Sequence, residues 1–370
     1  MLNWRNTRRI LYCSISFAII SCSGSTKSEL KFQDSNKKNE SLQSQQIIFG
    51  DVNGLNYTII TGDDALYTSQ REIEQLLINF QSVVSNEQPN SFIYKFNHST
   101  GQVITLNDTF HYFQDLFQFS QEIYHLTNGA FNPCAQFITK KWGFDKAFSN
   151  DIDSIQVSSF MKDMDFEAGH LYSMNIGENN LVSLKKKNNH LTFDFSDISS
   201  GLAVDYICEF LSKKGNKNYF IEIEGKRKVK GRNKDGLQWQ IGIDIPKKSQ
   251  DGRESVRDFT KVVDIKSGAI ATAGNYNSFY MKDNEKRSYT IDPRTGFPVD
   301  HSILSATVWS DKCTTSDAYS HVFMVMGVNE IIEFLKNNPA LNIELMLIYN
   351  DENGNLTRFE TPGMQRMLGH

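Results

Sequence analysis

The chain has 370 residues, 39% of them hydrophobic and 22% charged, and includes 26 Phe, 14 Tyr and 4 Trp. That apolar supply excludes a wholly disordered chain and is enough for one large domain or two small ones. The formal net charge is −4, so nucleic-acid binding through a basic surplus drops out, and no internal apolar run reaches the roughly 18 residues of a membrane span.

In chain order, the first expectation is an export signal over residues 1–22. Arg5, Arg8 and Arg9 precede an apolar stretch from Ile10 to Ile20, the order a secretory signal requires. The end of this stretch, Ile19-Ile20-Ser21-Cys22, resembles a bacterial lipobox. It implies a lipid anchor at Cys22 on the periplasmic side of a bacterial membrane; an ordinary signal with an incidental cysteine is the other reading. Residues 23–46 are rich in Ser, Lys, Gln, Asn and Glu, with only Leu30, Phe32 and Leu42 as large apolar side chains. They read as a flexible tether to a globular domain over 47–370.

Within that domain a strand is expected at Tyr57–Thr61. Helices follow at 70–84, on a stripe of Ile73, Leu76, Leu77, Phe80, Val83 and Val84, and at 108–127, stopped by Gly129. Short β-type runs fall at 191–195, 219–224, 238–245, 262–265, 288–291 and 303–309. Further helices fit 201–214, 315–327 and 329–337. A closing pair of strands fits 343–349 and 356–359, turned by Asp351-Glu352-Asn353-Gly354. Without strict βαβ alternation, the fold class is α+β. Cys134, Cys208 and Cys313 have no metal-binding spacing and read as buried thiols, with one disulfide as the alternative.

Four segments can carry chemistry. Asp292-Pro293-Arg294-Thr295-Gly296 makes a sharp turn after a strand, structural or functional. Ala269-Ile270-Ala271-Thr272-Ala273-Gly274 is small enough for a ligand to approach its backbone, a weak signal alone. From Phe193 to Asp205 a strand runs through a polar loop into a helix. That start, capped by Ser199 or Ser200, suits phosphate or is a plain connection. Asp317 and His321 stand one helical turn apart, so carboxylate and imidazole face the same way, for a divalent metal or as a surface pair. There is no GxSxG, HExxH, P-loop or GxGxxG.

The order and spacing of these pieces resemble the ApbE family of FAD:protein FMN transferases over roughly residues 48–365. Thr127-Asn128-Gly129-Ala130-Phe131-Asn132-Pro133 with Trp142-Gly143-Phe144, Ser91 through Phe96-Asn97, Gly201-Leu202-Ala203-Val204-Asp205, and Trp239-Gln240-Ile241-Gly242-Ile243 carry the match. Ala273-Gly274-Asn275-Tyr276, the Asp292–Gly296 turn and Asp317-Ala318 continue it in the same order. The resemblance implies a single T-shaped α+β domain. It also implies a Mg²⁺-dependent reaction in which FMN passes from FAD to a Thr or Ser of an acceptor redox protein, releasing AMP.

Carried over position by position, the resemblance implies catalytic roles for Tyr289 and Asp292. It implies cofactor contacts at Asn53, Glu87, Ala130, Phe131, Asn132, Asp194, Ser200 and Ala273, and metal contacts at Asp197, Asp317, Ser320 and His321. Several of these depart from the family pattern. Tyr289 replaces a histidine, and a phenol is a weak base at neutral pH. His321 replaces a threonine, and imidazole suits a transition metal better than Mg²⁺. Ser200 replaces a lysine, and Asn132 an aspartate. Two other readings stay open: a paralogue that keeps the fold as a binding or accessory lipoprotein, and a hydrolase that cleaves FAD with water.

Overall fold

Alternating apolar residues build an eight-stranded antiparallel sheet that organises the molecule. This computed structural model describes residues 45–62, 66–144, 152–167, 169–244, 259–275, 279–282 and 285–369, all within the compact unit Gln43–His370. The expected signal, the tether up to residue 44, Cys22 and Tyr276 lie outside the described residues.

Strands β1 (Ile47–Val52) and β2 (Leu55–Thr61) form a hairpin. Its turn residues Asn53 and Gly54 have φ of 52° and 91°, the conformation that Asn-Gly favours. Next come α1 (Gln70–Val84), α2 (Phe92–Asn97), β3 (Val103–Asn107) and α3 (Tyr112–Leu126). Two short helices, α4 (Gln136–Trp142) and α5 (Ser154–Met161), precede β4 (Tyr172–Ile176) and β5 (Leu181–Lys186). Strands β3, β5 and β4 make a small separate sheet.

The second half opens with α6 (Ser196–Lys213), β6 (Tyr219–Ile223) and β7 (Lys226–Lys230). Strands β8 (Trp239–Asp244) and β9 (Phe259–Ile265) pair with each other, and β10 (Ser267–Gly274) follows. A small hairpin of β11 (Phe279–Lys282) and β12 (Glu285–Ser288) leads into the Asp292 turn. Then come β13 (Ile303–Ser310), α7 (Cys313–Val325), α8 (Val328–Asn337), β14 (Glu344–Asn350), β15 (Leu356–Glu360) and α9 (Pro362–Met367). The large sheet runs β1-β2-β6-β7-β10-β13-β14-β15.

The strand period of two divides each strand between two cores. Leu345 and Leu347 of β14 face the larger core with Ile73, Phe113, Val204 and Phe323 of the helices. Met346 and Ile348 face a second core closed by Trp239, Ile241 and Val263 of the β8–β9 hairpin and Met364 of α9. The sheet is therefore covered on both sides.

Four expectations change here. The run expected at 288–291 holds only the last residue of β12 and an isolated bridge from Ile291 to Pro298. Residues 191–195 form no strand, because a side chain supplies their pairing. Asn97 Oδ1 accepts from Phe193 N and its Nδ2 donates to Phe193 O, both at 2.8 Å. Helix α6 begins at Ser196, not 201, so the polar residues 196–200 form its first turn, where free N–H groups tolerate Asp and Ser. The small residues 269–274 belong to a central strand, whose last residue, Gly274, reaches the cleft described below. Ala269 and Ala273 are buried beneath α7, whose Ser316 Oγ donates to Ala269 O at 3.2 Å.

Candidate active site

The crossing of α6 and α7 places the charged residues. A Cβ added to Gly201 would meet Cys313 O at 2.6 Å and Asp317 Cβ at 2.8 Å, so only glycine lets these helices approach backbone to backbone. Gly201 N then reaches Asp317 Oδ2 at 2.9 Å. One turn further along α6, Asp205 holds the start of α7. It accepts from Cys313 N, Thr314 N and Thr314 Oγ1 at 2.7–3.0 Å and pairs with Lys228 at 2.6 Å.

Asp317 is fully buried, and its Oδ1 has no hydrogen-bond partner. Lys226 Nζ and His321 Nε2 each stand 3.7 Å from that oxygen. The other ring nitrogen, His321 Nδ1, is 3.3 Å from Asp197 Oδ1. Burial pushes the Asp317 carboxyl up to about 6, against the pull of Lys226 and His321.

Beside this crossing lies a cleft of about 250 Å³, lined in part by Ala130, Phe131, Asn132, Asp197, Tyr289 and His321. Five separate sequence segments converge there. After α3, Asn128 and Gly129 take positive φ, and Gly129 N donates to Tyr124 O at 2.8 Å, turning the chain into Ala130–Asn132. Asn132 accepts from Cys134 N and donates to Met164 O, both at 2.8 Å. The Tyr289 ring packs edge-on against Phe144 at 5.0 Å. Trp142 Nε1 donates to Gly296 O at 2.9 Å, which ties the Trp142-Gly143-Phe144 segment to the Asp292–Gly296 turn.

The remaining expected site residues do other work. Asp292 is taken up within its own turn by Arg294, whose guanidinium also grips Glu330 of α8, so it is no free base. Asp194, half-buried, accepts from Asn86 Nδ2, Gln136 Nε2 and Ser196 N at 2.7–3.0 Å. Its burial, then the charge of Asp197, raises its carboxyl above the usual range. Ser200 Oγ donates to Glu224 Oε2 at 2.7 Å. Ser320 is buried and its hydroxyl donates to Asp317 O at 2.8 Å. Ala273 lies in the core. Exposed Asn53 and Glu87, in the β1–β2 and α1–α2 connections, do not line the cleft. Cys134, Cys208 and Cys313 are free thiols.

Lys226 is the positioning residue that sequence reading missed, while Asp205 and Asn97 stood in the matched motifs without an assigned role. The one available signal for Lys226 was its spacing from Lys228, two apart on a strand and so on one face.

The residues at the crossing do not suit Mg²⁺. That ion requires six oxygens at about 2.0–2.1 Å. Here the one open carboxylate oxygen shares its surroundings with an ammonium and an imidazole. Among the described residues no three His, Cys, Asp or Glu side chains form a metal-holding group.

The sequence model of the ApbE family matches residues 53–346. The FAD:protein FMN transferase of Vibrio cholerae is 28% identical over 289 residues, covering 78% of this chain and 81% of that protein. That of Haemophilus influenzae is 26% identical over 316 residues, covering 84% and 88%. The solved flavin transferase ApbE of Vibrio cholerae superposes with a TM-score of 0.70 at 25% identity, over 88% of this chain and 99% of that one. The apo flavinyl transferase ApbE of Pseudomonas stutzeri gives 0.72 at 22% identity, over 88% and 98%. The matched segments are the ones that build the cleft and the helix crossing, and the chain belongs to the ApbE family.

Proposed function

We propose that the chain is an FAD:protein FMN transferase, exported and held by a lipidated Cys22 on the periplasmic side of a bacterial membrane. The observation that carries this reading is the buried Asp317 Oδ1, left without a hydrogen bond beside a cleft built from the family's own segments. A purely structural carboxylate would be expected to have its acceptors filled, as those of Asp205 are.

In this reaction a Thr or Ser oxygen of the acceptor redox protein bonds to the phosphorus of the FMN half. The bridging P–O bond breaks, AMP leaves and the hydroxyl proton passes to a base. Asp197, on the exposed first turn of α6 and lining the cleft, is the carboxylate placed to take it. Tyr289, packed edge-on against Phe144, lines the same cleft.

Calorimetric titration of residues 23–370 with FAD tests the reading. The expected result is saturable binding, followed by covalent flavin on an acceptor protein. A folded protein that binds no FAD at millimolar concentration would reject both transfer and hydrolysis. Release of FMN and AMP without an acceptor would support hydrolysis instead. The scaffold-only reading is favoured by one arrangement: Asp194 and Asp292 are both fully engaged by neighbouring side chains.

A further inference from the structure

Strand β7 presents two lysines to two aspartates. Lys226 and Lys228 are two residues apart and share the face toward α6 and α7. Arg227, between them, donates to Gly242 O on the opposite side. Lys228 closes on Asp205 at 2.6 Å, a hydrogen-bonded pair. Lys226 stops 3.7 Å short of Asp317 Oδ1, beyond hydrogen-bond distance. The same strand, the same helix layer and the same pair of charges thus give one closed contact and one open contact.

The open contact is built. Glu224 and Gly225 take φ of 48° and 81° in the tight β6–β7 turn, and Ser200 of α6 holds Glu224 at 2.7 Å. The next residue, Lys226, is thereby directed inward, with its side chain 17% exposed. Asp317 is fixed from the other side by Gly201 N. His321 Nε2 is also 3.7 Å from Oδ1, and Asp197 engages the far ring nitrogen. Lys226 and His321 thus both stand 3.7 Å from an Asp317 oxygen that is fully buried and accepts no hydrogen bond.

We infer that the Lys226 ammonium is the resident cation of this site and contacts a phosphate oxygen of the ligand, so that binding needs no divalent metal. The inference rests on the transferase reading for the identity of the ligand and deepens it. A fixed ammonium beside Asp317 repels a dication from its one open oxygen. It supplies the charge a phosphate needs in a place where Asp317 and Asp197 alone would repel it.

The test is equilibrium titration of the full chain with FAD, in EDTA and in excess Mg²⁺, for wild type, K226M and K226R, with melting curves for each. Wild type is expected to bind equally well in both buffers, within about twofold. In EDTA, K226M should bind about 10-fold to 100-fold more weakly and K226R should recover part of the loss. A wild type that Mg²⁺ tightens by more than about tenfold would overturn the inference and leave the transferase reading standing. So would a folded K226M that binds as wild type does. If wild type binds no FAD in either buffer, the transferase reading fails, and inorganic pyrophosphate in EDTA becomes the probe. Binding by wild type but not by K226M then supports the lysine's role, and no binding by wild type rejects it.

Discussion

At the scale of single residues, Asp317 joins structure to chemistry through its two oxygens. Oδ2 satisfies Gly201 N across the helix crossing, and Oδ1 faces Lys226 and His321. Two substitutions separate these roles. Asp317→Ala removes the hydrogen bond that ties Gly201 N to α7 and is expected to cost about 1–3 kcal/mol of stability. Asp317→Asn keeps an acceptor for that N–H and removes the charge, so it should melt closer to wild type while losing ligand binding. Urea melts and FAD titrations of both proteins check this. An Asn variant that unfolds more readily than the Ala variant would show that the charge itself holds the crossing. The Asp317–His321 pair was legible in sequence because helix periodicity alone brings residues four apart together. Lys226 was not, because sheet pairing carries it to Asp317 from 91 positions away, and nothing local in Glu224-Gly225-Lys226 says which helix lies opposite.

At the scale of elements, legibility followed how local the determinants were. Helix α1 has the expected bounds because Ser69 and Glu72 form a capping box and its apolar stripe is unbroken. The bounds of α6 were misread because its first turn is polar, and 191–195 was misread because Asn97, nearly 100 residues away, does the pairing. Gly201 yields a prediction at this scale. In Gly201→Ala the added methyl meets a backbone carbonyl, which cannot swing aside as a side-chain end can. The expected loss is about 1–3 kcal/mol, read as a lower urea midpoint with an unchanged slope; a midpoint equal to wild type would mean that α6 and α7 shift apart freely. Glu72 yields another. Its carboxyl is held down to about 2 from 4.5, first by Lys214 at the end of α6 and then by Ser69 and Thr68. A folded-state value below the unfolded one means that its contribution is complete above 4.5 and disappears as the pH falls toward 2. Wild type should therefore melt higher than Glu72→Gln at pH about 6, and the gap should close by pH about 2 to 3. A constant gap would assign the effect to capping geometry rather than to charge.

At the scale of the molecule, the α+β class was readable from mixed periodicities, but the architecture was not. The eight-stranded order follows the chain but skips β3–β5, β8–β9 and β11–β12, which pair elsewhere, and short runs such as 226–230 carry too many lysines to read as strands in isolation. Their burial comes from the second layer. The β8–β9 hairpin and α9 cover the back of the sheet, so β7, β10, β13 and β14 are enclosed on both faces while β1 lies at an edge. In β1, Phe49 is 70% exposed. Backbone groups open to solvent locally where few apolar contacts hold them, and only by global unfolding where both faces are packed. Hydrogen exchange read by mass spectrometry should therefore be slowest in peptides spanning β10 and β13, with denaturant sensitivity matching global unfolding. Peptides from β1 and from the β3–β5–β4 sheet should exchange faster and respond little to denaturant. The start of α6 and the whole of α7 should follow β10, because the Gly201 crossing and the Asp205 cap bind them to it. If α7 exchanged with the fast group, Asp317 would not be held in a fixed frame, and the open contact with Lys226 could not be a preformed site.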